Sequence, residues 1–225
     1  MASQPTVSGD SPLRVLFPQY RRIDSMVRGE LEGLDDAALD WTSEKYGWAG
    51  WSMRQQASHL GSLVFRWLLV RWREPLFPDG IPVSEEELRL LNSPDYDRRL
   101  DERVYHDIEE IFGVVDRAVE LARSVLQQRT VAEGQSLVIA RPPSAQWAMM
   151  ARAHPHGVTV NADGGGAMTL EATFRHMLYE YLTHMYNMQR IKRALGLPVI
   201  VRLPDEGYHT LPDWDTSEAP PGSEK

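Results

Sequence analysis

Apolar residues recur every three or four positions in four stretches of the chain, which is the spacing of one buried face of an α-helix. The first stretch predicts a helix over residues 12–34, and the second predicts a helix over residues 53–72. The second helix has a well-marked start, because Ser52 and Gln55 have the spacing of a capping box. Pro75 prevents this helix from continuing much further, since proline has no backbone N–H to donate.

The third and fourth stretches also have recognisable ends. A helix is predicted over residues 108–129, with acidic side chains in its first turn and arginines in its last, as the helix dipole favours. The fourth helix is predicted to begin near Thr169 and to stop at Gly196, because glycine is common just past the end of a helix. Ser84 further predicts an N-cap for a short helix, Glu85–Leu91, in the long connection before the third helix.

The connection before the fourth helix, residues 130–168, is far longer than a helical bundle needs. Its apolar run and its three consecutive glycines favour a small β-hairpin. Four amphipathic helices of about 20 residues predict an all-α fold, a four-helix bundle with long connections. We expect a disordered N-terminus over residues 1–11, one bundle domain over residues 12–203 and a mostly irregular tail over residues 204–225.

Composition narrows the class of protein. Hydrophobic residues make up 42% of the chain and charged residues 25%, as in an ordinary soluble domain, and the net charge of -8 argues against a nucleic-acid partner. Cysteine is absent, which excludes disulfides, thiolate metal ligands and a protein thiol nucleophile. The polar start of the chain lacks the apolar segment of a signal peptide, and no apolar run is long enough to cross a bilayer. We therefore expect a cytoplasmic protein without a membrane partner.

The fourth predicted helix carries three polar residues on its core-facing side. His176, Glu180 and His184 follow one another at steps of four, so their side chains lie one above another. Neutral histidine and ionised glutamate are good ligands for a divalent metal, and a catalytic zinc site takes three protein ligands. Glu180 and His184 are adjacent candidates, and His59 is the best third ligand, because it lies beside the apolar stripe of the second helix. His106 lies at the extreme start of the third helix.

Each of these residues also has an ordinary structural interpretation. His59 could be a hydrogen-bonded core histidine, and Glu180 could pair with a buried arginine or face solvent. His176 could orient Glu180 through a hydrogen bond, could act as a general base, or could be a structural histidine. The spacing differs from the His-Glu-x-x-His zinc motif and from the paired Glu-x-x-His motifs of di-iron bundles, so a metal site here would be mononuclear.

Two segments of the chain form a recognisable pair: WSMRQQASHLG, which contains His59, and HMYNMQRIKRALGLP, which begins at His184. Together they resemble the DinB/YfiT-like superfamily of metal-binding four-helix bundles. The resemblance implies a metal held by His59, Glu180 and His184. Tyr186 and Asn187 replace the Gly-Gln of the family pattern. The resemblance covers four regions, residues 12–34, 51–72, 105–129 and 169–196.

A His, Glu, His ligand set is the one found in mycothiol-dependent maleylpyruvate isomerases, whereas most members of the superfamily have histidine at the position of Glu180. The resemblance implies a divalent-metal enzyme, with Zn²⁺ first and Ni²⁺ or Fe²⁺ as alternatives, that uses metal-activated thiolate or water for transferase or isomerase chemistry. Because the chain has no cysteine, the thiol would be a small molecule. Those isomerases also have a second domain, and 29 residues after Gly196 are too few for one, so we expect a different substrate.

Other functions fit the same sequence. One alternative is a metal-dependent hydrolase, and another is a non-catalytic bundle that binds a metal or a small ligand and forms a dimer. A metal-free bundle is a third. We expect a small-molecule substrate, with a homodimer as the oligomeric state. Its pocket could be walled by the tryptophan-rich loop, residues 41–51, and by the insertion at residues 146–168, which contains His154 and His156.

Overall fold

A computed structural model describes residues 7–222, apart from the side chains of Ala145 and Gln146. The chain is mostly helical, with a small three-stranded sheet. The described α-helices are α1 (Ile23–Leu31), α2 (Asp36–Leu39), α3 (Met53–Phe65), α4 (Arg73–Leu76), α5 (Glu85–Leu91), α6 (Ile108–Gln128), α7 (Val131–Ser136), α8 (Ala145–Ala153) and α9 (Leu170–Ala194). The strands are β1 (Val138–Arg141), β2 (Val158–Val160) and β3 (Gly166–Thr169). No helix within residues 7–222 is both long enough and apolar enough to cross a membrane.

The first predicted helix is shorter than its hydrophobic pattern suggested. Two 3₁₀ turns, Leu13–Leu16 and Pro18–Arg21, precede α1 in place of a continuous helix from residue 12. Pro18 is the physical reason, since proline disfavours the helical conformation of the residue before it. Phe17 accordingly has φ -133° and ψ 58°, outside the helical region. The apolar side chains still reach the core, because 3₁₀ turns also repeat roughly every three residues.

The second predicted helix begins where expected and then changes its geometry. Ser52 and Gln55 form the capping box at the start of α3, with each side chain bonded to the backbone of the other residue. After α3 the chain continues as a π-helical segment, Arg66–Arg71, which we call the π-turn. The N–H of Trp72 donates to the carbonyl of Trp67, five residues back, at 3.0 Å. The π-turn lies at the end of α3, close to the candidate site.

The third and fourth predicted helices are confirmed as α6 and α9, and the short helix after Ser84 is confirmed as α5. Thr169 caps α9 through its side chain, which accepts from the N–H of Ala172. Gly196 follows α9 with φ 72°, a conformation that favours glycine. The N–H of Leu197 then reaches back to the carbonyl of Lys192 at 2.8 Å, which completes a Schellman end.

The insertion before α9 contains more structure than the predicted hairpin. Strands β2 and β3 form an antiparallel hairpin, and β1 pairs with the other edge of β3, so the sheet order is β1-β3-β2. The helices α7 and α8 were not predicted, although Thr130 and Glu133 form a capping box at the start of α7. Because β3 runs directly into α9, the sheet holds the first turn of α9 in place.

The core lies between four helices. Helix α3 contacts both α6 and α9, and α1 contacts the same two helices. The apolar side of α9 faces the core, as predicted for the fourth helix, since Phe174, Met177, Tyr181 and Met188 are each 0% exposed. This packing brings the middle of α9 against α3, where the polar residues of both helices meet.

The two ends of the chain also make contacts. Of the predicted N-terminal segment, residues 1–6 lie outside the described residues, while Gly9 and Ser11 accept backbone hydrogen bonds from Ala132 and Val131 at the start of α7. The tail is irregular except for one 3₁₀ turn, Tyr208–Thr210, and residues 223–225 lie outside the described residues. This turn brings Tyr208 against α9.

Candidate metal centre

The structure brings together the three residues proposed as metal ligands. His59 lies on α3, and Glu180 and His184 lie one turn apart on α9. One donor atom from each residue lies within 4.8 Å of the other two, so the group could hold a metal ion. The side chain of His59 is fully buried, whereas those of Glu180 and His184 are 20% and 16% exposed. The group therefore has one buried side and one side that solvent or a small molecule can reach.

The separations between the donor atoms fit a small divalent ion. Oε2 of Glu180 lies 3.3 Å from Nε2 of His59 and 3.5 Å from Nε2 of His184. For zinc, with bonds of about 2.0–2.2 Å, two ligand atoms at tetrahedral positions lie about 3.3–3.6 Å apart. The donor set of two imidazoles and one carboxylate is also one that zinc uses in catalytic sites.

The other nitrogen of each imidazole faces a carbonyl oxygen. Nδ1 of His59 lies 2.9 Å from the backbone carbonyl of Arg98, and Nδ1 of His184 lies 3.1 Å from Oε1 of Gln56. The amide of Gln56 is held in this orientation because its nitrogen donates to the carbonyl of Trp51 at 3.1 Å. When Nδ1 carries the proton and donates to the carbonyl oxygen, each imidazole presents the lone pair of Nε2, as metal-binding histidines do.

Both ring nitrogens of His59 face hydrogen-bond acceptors, the carbonyl of Arg98 and the carboxylate of Glu180. Burial and the neighbouring His184 lower the pKa of His59 to about 3, although Glu180 opposes that shift, so His59 is neutral at pH 7. A neutral imidazole has one N–H, so His59 cannot donate to both acceptors. In the tautomer that donates to Arg98, the Nε2 lone pair faces the carboxylate oxygen. A cation between these atoms would remove the conflict.

Glu180 is the negative member of the group. Burial alone would raise the pKa of its carboxyl, but contacts with His184 and His59 and the nearby His176 outweigh burial and hold that pKa well below its ordinary value. The carboxylate is therefore ionised at neutral pH. An ionised carboxylate beside the ring nitrogens of two histidines is a donor set that binds a divalent cation.

The carbonyl that orients His59 comes from an unusual backbone position. Arg98 has φ 55°, a left-handed conformation that is uncommon for residues other than glycine. Its carbonyl is within hydrogen-bond distance of both His59 and the guanidinium of Arg66, the latter at 3.1 Å. This contribution could not be predicted from the sequence, because no side-chain pattern marks a carbonyl that contacts a distant histidine.

Trp51 covers the two candidate histidines. Its ring stacks on His184 with centroids 5.9 Å apart at 15°, and it lies 5.2 Å from the ring of His59. Of the predicted aromatic loop, Trp41 and Trp48 are instead buried in the core, at 4% and 7% exposure. Only the end of that loop therefore reaches the candidate site.

His176 lies one turn before Glu180 but does not hydrogen-bond to it. Nδ1 of His176 is 3.9 Å from Oε1 of Glu180, too far for a hydrogen bond, and lies 2.6 Å from Oη of Tyr208. The same hydroxyl lies 2.8 Å from Nε2 of His154. The expectation that His176 orients Glu180 directly is therefore wrong, because the tail places Tyr208 at that nitrogen. The structure shows instead a chain of three hydrogen-bonding groups, His176, Tyr208 and His154.

Two cavities flank this chain. One, of about 120 Å³, lies beside Glu180 and His176, and Met149 and Met150 of α8 form part of its wall. The other, of about 520 Å³, lies near the start of α9 and is lined by His154 and by the exposed His156. The insertion thus lines both cavities, but its two histidines lie at the larger one and away from the candidate metal ligands.

Comparisons with protein-family models, with curated proteins and with solved structures gave no match to this chain. The functional argument therefore depends on the geometry of the site.

The contact between Gln56 and His184 gives a testable expectation. In Gln56→Leu, Nδ1 of His184 loses its acceptor, and we expect the affinity for Zn²⁺ to fall about 10- to 100-fold, as is usual when such a partner is removed. Gln56→Glu restores an acceptor and should recover most of the affinity. Competition with a chromophoric chelator measures both variants. Equal affinities for Gln56→Leu and the parent would show that His184 is not a ligand oriented in this way.

Proposed function

We propose that this protein is a divalent-metal-dependent enzyme of the DinB-like type, a four-helix bundle in which His59, Glu180 and His184 hold the ion. The observation that carries the proposal is the convergence of the Nε2 atoms of His59 and His184 on one carboxylate oxygen of Glu180, at 3.3 and 3.5 Å. The mutual contacts of α1, α3, α6 and α9 support the bundle architecture. Zn²⁺ is the first choice of ion, with Ni²⁺ or Fe²⁺ as alternatives.

The chemistry that we propose is transfer or isomerisation dependent on a small thiol. A bound divalent ion lowers the pKa of a coordinated thiol or water, and so supplies a nucleophile at neutral pH. The absence of cysteine means that the thiol would come from solution. The cavity beside Glu180 gives a small molecule a route to the site. Hydrolysis would use the same site with water as the nucleophile.

His176 is the proposed acid–base residue. It lines the cavity, and its Nδ1 is occupied by Tyr208, which leaves Nε2 for the substrate. When Tyr208 donates its proton to His154, His176 donates from Nδ1 to Tyr208 and has a free lone pair on Nε2. Nε2 can then accept a proton from the substrate and return it later in the same turnover, while the hydrogen bond between Nδ1 and Tyr208 holds the ring in place.

The test of this function is turnover by metal-loaded protein across a panel of small thiols, electrophiles and hydrolysable esters. We expect His176→Gln to keep its metal and to lose at least about 100-fold in kcat, because general acid–base catalysis typically contributes that much. His156→Gln, at an exposed position, is the matched control and should be as active as the parent.

Two results would count against the proposal. If metal-loaded parent accelerates no reaction in the panel, the non-catalytic, ligand-binding function is favoured. If His176→Gln has unchanged kcat and an unchanged pH profile, His176 is not the acid–base residue. The small-molecule substrate, the cytoplasmic location and the homodimer remain predictions from the sequence.

A further inference from the structure

The cavity beside Glu180 is rich in positive charge. Four arginines, Arg66, Arg71, Arg98 and Arg141, line it together with that one carboxylate. They come from three parts of the chain, since two belong to the π-turn, one to the connection before α6 and one to the end of β1. The chain as a whole is acidic, with a net charge of -8, so its composition does not explain four arginines around a cavity of about 120 Å³.

The π-turn explains how two of these arginines share a surface. Arg66 and Arg71 are five residues apart, and in an α-helix of 3.6 residues per turn their directions would differ by about 140°. In a π-helix each turn holds more residues, so residues five apart lie closer to the same side of the helix than in an α-helix. The change from α to π geometry at the end of α3 therefore turns both guanidinium groups towards the cavity.

Two of the arginines have no protein anion to pair with. Within the described residues, the side chains of Arg71 and Arg141 make neither a hydrogen bond nor an ion pair, and both lie on the ring of Trp67, at 4.8 and 5.0 Å. Nε of Arg141 is buried and has no hydrogen-bond partner among the described residues. Arg98, by contrast, pairs with Asp97 at 3.1 Å. Buried donors are normally satisfied, so an unpaired one at a cavity points to a ligand.

The electrostatic environment agrees with this geometry. Burial and, to a smaller extent, the neighbouring charge of Arg71 lower the pKa of Arg141 to about 10. Burial likewise lowers the pKa of Arg66 to about 10, against the attraction of Glu180. Both groups remain charged at pH 7, because these pKa values are still well above 7. The cavity therefore holds positive charges that are only partly neutralised, and an anion would stabilise them.

We propose that this cavity binds an anionic group of the substrate, a carboxylate or a phosphate, through Arg71 and Arg141 beside the candidate metal ligands. The inference rests on the proposed function, since it assigns the substrate class of the same site. Guanidinium groups match the paired oxygens of either anion. The cavity is somewhat smaller than the roughly 150 Å³ that accommodates benzene. It therefore admits the charged end of a small acid, with the rest of the molecule extending towards the exposed Arg71.

Calorimetric titration of the full-length protein tests this inference. The ligands are succinate, inorganic phosphate and the neutral analogue succinamide, each with and without one equivalent of Zn²⁺. We expect at least one anion to bind, and succinamide not to bind. Arg71→Met and Arg141→Met should weaken the anion roughly 10- to 100-fold, the usual effect of losing a hydrogen bond to a charged group. The tighter of the two anions identifies the substrate group as a carboxylate or a phosphate.

Control variants keep the outcome interpretable. Arg152→Met removes an exposed arginine that pairs with Asp213 outside the cavity and should leave the affinity unchanged. Arg141→Lys keeps the positive charge but lacks the paired N–H donors of a guanidinium group. Its affinity for the anion should therefore lie between those of Arg141→Met and the parent. Arg71 is exposed, so its variant should fold normally even if Arg141→Met does not.

Failure of this inference can be told apart from failure of the proposed function. If the parent binds metal but binds no anion, the anion inference is wrong and the metal site stands. The same conclusion follows if Arg71→Met and Arg141→Met bind the anion as tightly as the parent does. If zinc-free parent binds the anion and both variants lose it, the inference holds even where the parent retains no metal. Binding that needs Zn²⁺ and ignores both arginines would place the anion on the metal and overturn the inference.

Discussion

Protein purified without an affinity tag should contain close to one divalent metal ion per chain, and the Glu180→Ala and His184→Ala variants should contain almost none. A site reduced from three ligands to two does not hold the ion against water and buffer, because each ligand supplies a large share of the binding free energy. Elemental analysis after dialysis against metal-free buffer measures the content. His106→Ala removes an exposed histidine at the start of α6 and should retain the parent content.

The same variants should differ in their response to a chelator. Metal bound only to the folded state adds to the free energy of unfolding, so EDTA should lower the Tm of the parent and of His106→Ala. It should not change the Tm of Glu180→Ala or of His184→Ala. In Glu180→Ala the Nε2 atoms of the two histidines no longer face a carboxylate, so we expect the metal-free variant to have a higher Tm than the metal-free parent. A parent without metal, or variants with the parent's metal content, would contradict the assignment of Glu180 and His184 as metal ligands.

The second large effect concerns stability at the end of α9. Lys192→Met should lower the free energy of unfolding by about 3–5 kcal/mol, because it leaves a buried carboxylate without its cation. Nζ of Lys192 lies 2.7 Å from Oε1 of Glu30, and the two side chains are 2% and 0% exposed. Glu30 also accepts from Gln189 and from the backbone N–H of Val201, so it cannot turn towards solvent without breaking those bonds.

Thermal and urea unfolding measure this change. For a chain of this size, about 3–5 kcal/mol corresponds to a fall in Tm of roughly 6–20 °C. Arg193→Met is the matched control: the next residue along α9 pairs with Glu218 at a partly exposed position, where such pairs contribute at most about 1 kcal/mol. Similar losses of unfolding free energy in the two variants would show that the buried Glu30–Lys192 pair stabilises the fold no more than an exposed pair does.

Several elements followed from sequence because their causes are local. Ser52 with Gln55, Thr169 and Gly196 place the ends of α3 and α9, since a cap depends on residues three or four positions away. The long helix at residues 12–34 was wrong for an equally local reason, the proline at position 18, which the hydrophobic spacing alone does not register. The π-turn was not predicted, because α and π geometry have similar hydrophobic patterns over so few residues.

Some features of the candidate site could likewise be predicted from the sequence, and others depend on tertiary contacts. The spacing of Glu180 and His184 on one helix, and the place of His59 beside an apolar stripe, could be read from the chain. The carbonyl of Arg98, the amide of Gln56, the hydroxyl of Tyr208 and the two unpaired arginines depend on contacts between distant segments. Sequence therefore determined the donor types and the helices that carry them, because both follow from residue chemistry and local periodicity. Tertiary structure alone decided what orients the donors and which charges surround them, because packing between distant elements sets those distances.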